Sequence, residues 1–427
     1  MQTPTRKVGI EDISLYIPGQ YLPIETLAAE RGLDYEKLSK GLGLLKMAVP
    51  GLHEDAASMA ANALEELIHR NQLNPHRIGR IYIGTESGVD GSKPLASYVL
   101  GMLEERQSGG NRCSDRNHCD VVDMTFACIG AVDALQNTLD WVRANPEEIG
   151  VVIATDIAKY ELASTGEYTQ GAGAVALLVK ADPALLSIEH CWGVGTQDVH
   201  DFFKPLRAFS KETILLEAMD VMGMDRKQLN GHAEHLAQEN QPASLLKQSD
   251  AEVQVWRETP VFDGPYSNAC YQDRIREALQ HFQGKAIDRK LLPKGTALTE
   301  RWASMIFHLP YAFHGKRIAS EWFMLELKQQ GKWPAFAKEN ELEELDLKAQ
   351  KDPKGYGQLL RAVSKTAAYR KLVAEKIERG QRGSSQVGNL YTASIFMALI
   401  STLDAAQREA LPWTSERLGF IAYGSGS

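Results

Sequence analysis

Three residues of the types that carry acyl chemistry stand at the ends of short apolar runs: Glu86, Cys128 and His308. Cys128 lies in VVDMTFACIGAVDAL, where an apolar run gives way to small residues and then to an amphipathic helix. A thiol at such a junction sits near the positive end of a helix dipole, which favours the nucleophilic thiolate. Turn N–H groups there can hold a developing oxyanion. The competing reading is a buried structural cysteine, since free Cys is among the most buried residue types. Glu86, in IYIGTESGVDGSK, directly follows a strand-like run. A carboxylate there is costly unless paired or used. Desolvated, it suits acid–base work near neutral pH, and its bland alternative is a loop or capping acid. His308, in SMIFHLPYAFHGKR, ends a run that Pro310 breaks. It could donate to a carbonyl or be a satisfied core histidine, and His314, Lys316 and Arg317 behind it could meet a phosphate. Asn389, in VGNLYTASIFMALIS, could donate to a ligand carbonyl or cap the helix that follows. Ser425 lies in YGSGS, a loop that exposes its backbone.

The elements that must position these residues alternate between strand and helix. Val8–Tyr16, Arg80–Gly84, Val121–Met124, Gly150–Thr155 and Gly171–Lys180 read as strands. Glu54–His69 repeats Met59, Ala63 and Leu67 at helical spacing, and Ala131–Arg143 does the same with Val132, Leu135, Leu139 and Val142. This alternation predicts an α/β protein with sheets buried on both faces. Two stretches, near 208–258 and 321–382, read as helical and charged, with solvated faces.

Composition excludes several functions. With 47 Lys plus Arg against 55 Asp plus Glu, the net charge of −8 offers no global attraction for nucleic acid or an anionic membrane. No run of about 18 apolar residues marks a membrane span, and MQTPTRKVGIEDISLYIPG lacks the apolar core of a signal peptide. Five sparse cysteines read as reduced thiols in a cytoplasm. Cys113 and Cys119 flank His118 in CSDRNHC, but no second ligand pair exists for zinc, so no metal is expected and the segment reads as a polar loop. The glycines of GTESGVDG do not match a dinucleotide- or phosphate-binding spacing.

Taken in order, these pieces resemble the 3-hydroxy-3-methylglutaryl-CoA synthase family of the thiolase superfamily. The resemblance rests on TESGVDGSK, the Ala127-Cys128 pair, ATDIAKY with Asp156 and Tyr160, and GEYTQGAGAVALLV. It continues through HDFFKP, PVFDGPYSNACY, FHLP, GNLYTAS and YGSGS. It implies a thiolase-like five-layer α-β-α-β-α fold of two similar halves, residues 1–182 and 183–427, paired as a homodimer. It implies that Cys128 takes acetyl from acetyl-CoA, and that Glu86 removes a proton from the acetyl methyl and later supplies one to the attacked ketone. His308 would orient acetoacetyl-CoA with support from Asn389, and N–H groups of Cys128 and of the Ser425 loop would form the oxyanion hole. Asp156 and Tyr160 would lie near the site. CoA thioesters are then substrates, and no cofactor is implied.

The product would be 3-hydroxy-3-methylglutaryl-CoA for the mevalonate route to isoprenoids. The alternative is a relative that β-branches polyketides on acyl carrier proteins. After FHLP the family often has a lysine where this chain has Phe313, which tilts toward that alternative, while Lys316 matches a second family lysine. The two charged stretches are larger than in compact bacterial members, and the family normally continues beyond YGSGS through a last strand. A thiolase would need a second cysteine near the end, and none follows Cys270. A catalytically dead scaffold would not need all three reactive positions filled.

Overall fold

The computed structural model describes residues 6–107, 118–225 and 252–427. Six strands form the main sheet: β1 (Val8–Tyr16), β2 (Ile78–Gly84), β3 (Asp120–Met124), β4 (Ile149–Ile157), β5 (Ala172–Ala181) and β6 (Leu186–Ser187). Their order is β3-β2-β4-β5-β1-β6. β2 runs parallel to both β3 and β4, with Gly84 level with Met124 on one side and Ala154 on the other. Adjacent parallel strands therefore end together, which is where α/β sheets place their sites.

Both faces of this sheet are covered, which explains the unbroken apolar runs of β4 and β5. Val152, Ala154, Val175 and Leu177 pack with Leu135, Leu139 and Val142 of helix α2 (Gly130–Ala144). Val151, Ile153, Ala174 and Ala176 pack on the opposite face with Met59, Leu64 and Leu67 of helix α1 (Ala56–Arg70). Asp55 starts α1 with a capping box: its Oδ1 accepts from the Ser58 N–H while Ser58 Oγ accepts from the Asp55 N–H. Each fully buried leucine here contributes roughly 1.5–3 kcal/mol.

The later part of the same compact unit holds strands β7 (Ser304–Phe307) and β8 (Leu418–Ile421), paired in parallel. Helices α3 (Gly264–Asp288), α4 (His314–Gln329) and α5 (Ser394–Arg408) belong to it as well. This unit comprises residues up to Asp201 and from Asp263 onward, and its first sheet takes in β6, beyond residue 182.

Residues Phe202–Phe262 form a second compact unit. The helical reading of 208–258 is corrected here. A helix does run from Lys211 to Met222, but it is flanked by strands Leu206–Ser210 and Glu252–Trp256, which pair antiparallel. EVQV alternates polar residues with β-branched valines, a strand signal that the surrounding Gln, Glu and Lys obscure. The stretch 321–382 is helical, yet its charges are not all solvated. Buried Glu321 accepts from Arg276 and from the Tyr356 hydroxyl. Buried Glu326 accepts from the Leu298 and Thr299 N–H groups and from Trp322 Nε1.

Candidate active site

Glu86 and Cys128 meet because backbone can touch backbone between them. Gly84, the last residue of β2, has no Cβ, and one built there would lie 2.2 Å from the Ala131 nitrogen at the start of α2. The loop leaving β2 is thereby brought against the turn that joins β3 to α2. The Cys128 thiol donates to Glu86 Oε1 at 3.1 Å. Cys128 stands two residues before α2, at the positive end of its dipole. The preceding Ala127 has φ +41°, a left-handed conformation costing roughly 1–3 kcal/mol for a residue with a Cβ. Strain of this kind persists where surrounding contacts over-determine the turn, and here it aims the thiol.

Asp156, wholly buried in β4, holds the Glu86 loop from beneath. Its Oδ1 accepts from the Glu86 N–H at 2.7 Å, from Ser87 Oγ at 2.9 Å and from Thr85 Oγ1 at 3.2 Å. Tyr160 is buried close by, with its N–H donating to Gln170 Oε1 at 2.7 Å. Burial pushes its phenol far above the ordinary range, and negative charge on Cys128 and Glu86 pushes it further. Tyr391 is raised in the same way, first by burial and then by Tyr160, Glu86 and Cys128. The two rings meet edge to face at 6.2 Å. Two neutral phenols thus wall the Glu86–Cys128 pair.

His308 follows β7 directly, and its N–H donates to the Ile421 carbonyl of β8 at 2.9 Å. Tyr271 of α3 donates its hydroxyl to the His308 carbonyl at 2.9 Å and stacks on the imidazole at 6.3 Å. Tyr271 feels Cys128 as well, since after burial the Cys128 charge is the next cause of its raised pKa. Burial lowers His308 to about 3, so the ring is a neutral imidazole with one N–H to give. Among the described residues, its Nδ1 is buried without a hydrogen-bond partner. This chemistry fits a donor to a carbonyl.

The remaining expected residues are placed as follows. Asn389 is buried, and its Oδ1 accepts from the Tyr391 N–H at 2.8 Å, so the carboxamide oxygen serves the cap. The Ser425 hydroxyl donates to Asp201 Oδ1 at 2.7 Å and anchors the loop. Gly424, one residue earlier, packs on the Cys128 turn: a Cβ built there would lie 2.9 Å from the Cys128 nitrogen. The Lys316 ammonium lies 3.2 Å from the centre of the Phe313 ring, and burial lowers its pKa. His314 adds no positive charge, because burial lowers it to about 3. Arg317 donates to the Gly41 carbonyl and to the Tyr311 hydroxyl. Of the CSDRNHC segment, Cys113 lies outside the described residues, and burial pushes the Cys119 thiol up to about 12.

Sequence reasoning singled out neither Tyr271, Tyr391, Thr392 nor Asp201. All four lie inside the motifs quoted above, so the signal was present at the level of the segment. A cavity of about 1440 Å³ reaches Ile129, the residue after Cys128, and is lined further by Leu135, Phe282, Trp302 and Phe420 among others. It includes none of Glu86, Cys128 and His308, so the reactive groups are not its lining.

Comparison with known proteins follows this geometry. Residues 4–184 match a family described as "Hydroxymethylglutaryl-coenzyme A synthase N terminal", and residues 253–427 match "Hydroxymethylglutaryl-coenzyme A synthase C terminal". The chain is 31% identical over 430 residues to the hydroxymethylglutaryl-CoA synthase of Haloferax volcanii, covering 98% of this chain and 82% of that one. Among solved structures, "MvaS in complex with 3-hydroxy-3-methylglutaryl coenzyme A" superposes with a TM-score of 0.74 at 28% identity, covering 99% of this chain and 82% of that one. A curacin-pathway synthase in complex with a holo donor carrier protein shares the fold, with a TM-score of 0.67 at 23% identity over 99% of this chain and 78% of that one.

Proposed function

This chain belongs to the hydroxymethylglutaryl-CoA synthase family, and on that premise we propose that Cys128 and Glu86 are its nucleophile and its acid–base. The reaction is condensation of acetyl-CoA with acetoacetyl-CoA and water to 3-hydroxy-3-methylglutaryl-CoA, an acyl transfer in the mevalonate route. The observation that carries the assignment is the 3.1 Å contact between the Cys128 thiol and the Glu86 carboxylate at the ends of adjacent parallel strands.

Cys128 attacks the acetyl-CoA carbonyl, the thioester bond to CoA breaks, and CoA leaves as its thiol. Covalent capture divides one difficult step into easier ones. Glu86 then takes a proton from the methyl of acetyl-Cys128. The resulting enolate attacks the ketone carbon of acetoacetyl-CoA and forms the carbon–carbon bond. The protonated Glu86 returns its proton to the new alkoxide, giving the tertiary hydroxyl. Neutral His308 donates a hydrogen bond to the second substrate near its thioester carbonyl, with Asn389 beside it. Backbone N–H groups at Cys128 and in the YGSGS loop would hold the oxyanion of acyl transfer, and in that loop the Gly424, Gly426 and Ser427 N–H groups are engaged within the loop, which leaves that of Ser425 for the role. Water finally cleaves the Cys128 thioester and restores the thiol. Side chains and water supply the nucleophile and the protons, so we assign no cofactor.

In this reading Glu86 and Cys128 come from an N-terminal half, 1–182, and His308 and Asn389 from a C-terminal half, 183–427. Asp156 and Tyr160 support the first pair, and Lys316 and Ser425 stand at the rim. We place the enzyme in the cytoplasm as a homodimer. Among the described residues, no helix is long and apolar enough to cross a membrane.

Intact-mass analysis after incubation with acetyl-CoA tests the assignment. Wild type is expected to gain one acetyl group and Cys128→Ala none; labelling of the variant would sink it. Glu86→Ala should still acetylate while failing to condense. Supplying acetoacetyl-carrier protein in place of acetoacetyl-CoA separates the carrier-protein alternative, which the engagement of Lys316 with Phe313 keeps in play.

A further inference from the structure

We infer that Thr392 is a positioning residue for the carbon–carbon bond-forming step, holding the Glu86 loop in place through Asp156. The inference rests on the assignment of Glu86 as the base. Thr392 is wholly buried in the short helical turn Tyr391–Ala393 that leads into α5. Its hydroxyl lies 2.5 Å from Asp156 Oδ2 and 2.9 Å from the Gly84 carbonyl, and its N–H donates to Asp156 Oδ2 at 3.0 Å.

Both acceptors belong to the base's own support. Gly84 is the strand residue from which the loop departs, two positions before Glu86. Asp156 Oδ1 takes the Glu86 N–H and both hydroxyls that flank it, from Thr85 and Ser87. The backbone of Glu86 is thus gripped by one carboxylate oxygen, and the other oxygen is gripped by Thr392. A second consequence follows from the sequence: Asn389, three residues earlier, caps the same turn through the Tyr391 N–H. One hydroxyl therefore fixes the base loop and the Asn389 turn relative to each other, across 308 residues of chain.

The two steps of the reaction place different demands on this strut. Capture of acetyl by Cys128 depends on the β3–α2 turn, to which Thr392 makes no side-chain hydrogen bond among the described residues, its hydroxyl partners being Asp156 and Gly84. Proton removal and condensation depend on where the Glu86 carboxylate points. A misplacement approaching 1 Å costs on the order of 100-fold in rate.

The test compares Thr392→Val, which keeps the shape and deletes the hydroxyl, with Thr392→Ser, which keeps the hydroxyl. Two rates are read: acetylation of Cys128 by intact mass, and condensation with acetoacetyl-CoA. For T392V, kcat for condensation should fall roughly 10–100-fold, with KM for acetoacetyl-CoA and the acetylation rate each within about threefold. Deuterium uptake from D2O into the acetyl methyl should fall in step with condensation. T392S should recover condensation to within about threefold of wild type. If T392V does not fold, Thr392→Ala carries the same comparison. Equal loss of acetylation and condensation in the variant that folds, or condensation within twofold of wild type, overturns the inference. Failure of wild type itself to acetylate on Cys128 would sink the underlying assignment instead, so the two failures are distinguishable.

Discussion

Adding a single methyl group at Gly424 should slow acetyl capture. A Cβ at this position would lie 2.5 Å from the Ile129 nitrogen, 2.9 Å from the Cys128 nitrogen and 3.1 Å from Ile129 Cβ. Ordinary contact begins near 3.4 Å, so the nucleophile turn would have to retreat by 3.4 − 2.5 = 0.9 Å at Ile129 and 3.4 − 2.9 = 0.5 Å at Cys128. Gly424 is not among the residues with positive φ, so alanine fits its backbone and the effect is steric. The turn has little room to comply, since Ala127 already holds a left-handed conformation and α2 is packed against the sheet. Overpacking of this kind costs about 1–3 kcal/mol of stability. A displacement of 0.5–0.9 Å in the backbone that carries the thiol should slow acetylation on the order of 10–100-fold. The assay is the single-turnover rate of acetyl-Cys128 formation, followed by quenched intact mass, for Gly424→Ala. Gly41→Ala is the control, because a Cβ there meets nothing within 4 Å. An acetylation rate within twofold of wild type in G424A would refute the view that this loop sets the geometry of the nucleophile turn.

Two further outcomes follow from buried polar groups. His308 and His314 are each held near 3 by burial, below the usual value of 6.5. The folded chain thus binds fewer protons than the unfolded one, and the stability is present above 6.5 and lost as pH falls toward 3. Between pH 7 and pH 5 each histidine should cost about 2 kcal/mol. Urea unfolding of His314→Phe should show that much less acid loss than wild type, and an unchanged difference between the two pH values would contradict it. Asp201 accepts from Tyr423 and Ser425 at 2.7 Å and from Ser267 at 3.0 Å. Asp201→Asn turns one acceptor into a donor facing a hydroxyl, at about 1–3 kcal/mol. It should lower the melting temperature and slow acetylation, and Ser425→Ala should do so less.

The sheet was legible because its signals are local. The apolar pattern of Val8–Tyr16 gave β1 its bounds without adjustment. The buried run of β5 and the helical spacing of α1 and α2 came through within one or two residues. The paired strands Leu206–Ser210 and Glu252–Trp256 were missed, because each draws its stability from a partner more than 40 residues away. Glu321 and Glu326 were read as solvated for a related reason. Their burial is made tolerable by Arg276, Tyr356, Thr299 and Trp322, and most of these donors lie 27 to 45 residues distant.

The same distinction explains the uneven reading of the site. Glu86 and Cys128 were singled out because a reactive side chain at a strand end is a local pattern, and parallel pairing of β2 with β3 carries two such ends to one place. The basic residues after His308 invited a similar inference toward phosphate, and there the local partners weigh on the reading. His314 is buried and neutral, Lys316 rests on Phe313, and Arg317 is committed to Gly41 and Tyr311. Residue type fixed what each group could do; the neighbours decided whether it was available. A cation is drawn to an aromatic face or a carbonyl as readily as to a ligand, so a basic run foretells anion binding only when its local partners are known. A thiol at the head of a helix has fewer competing uses, and its chemistry survives folding with less context.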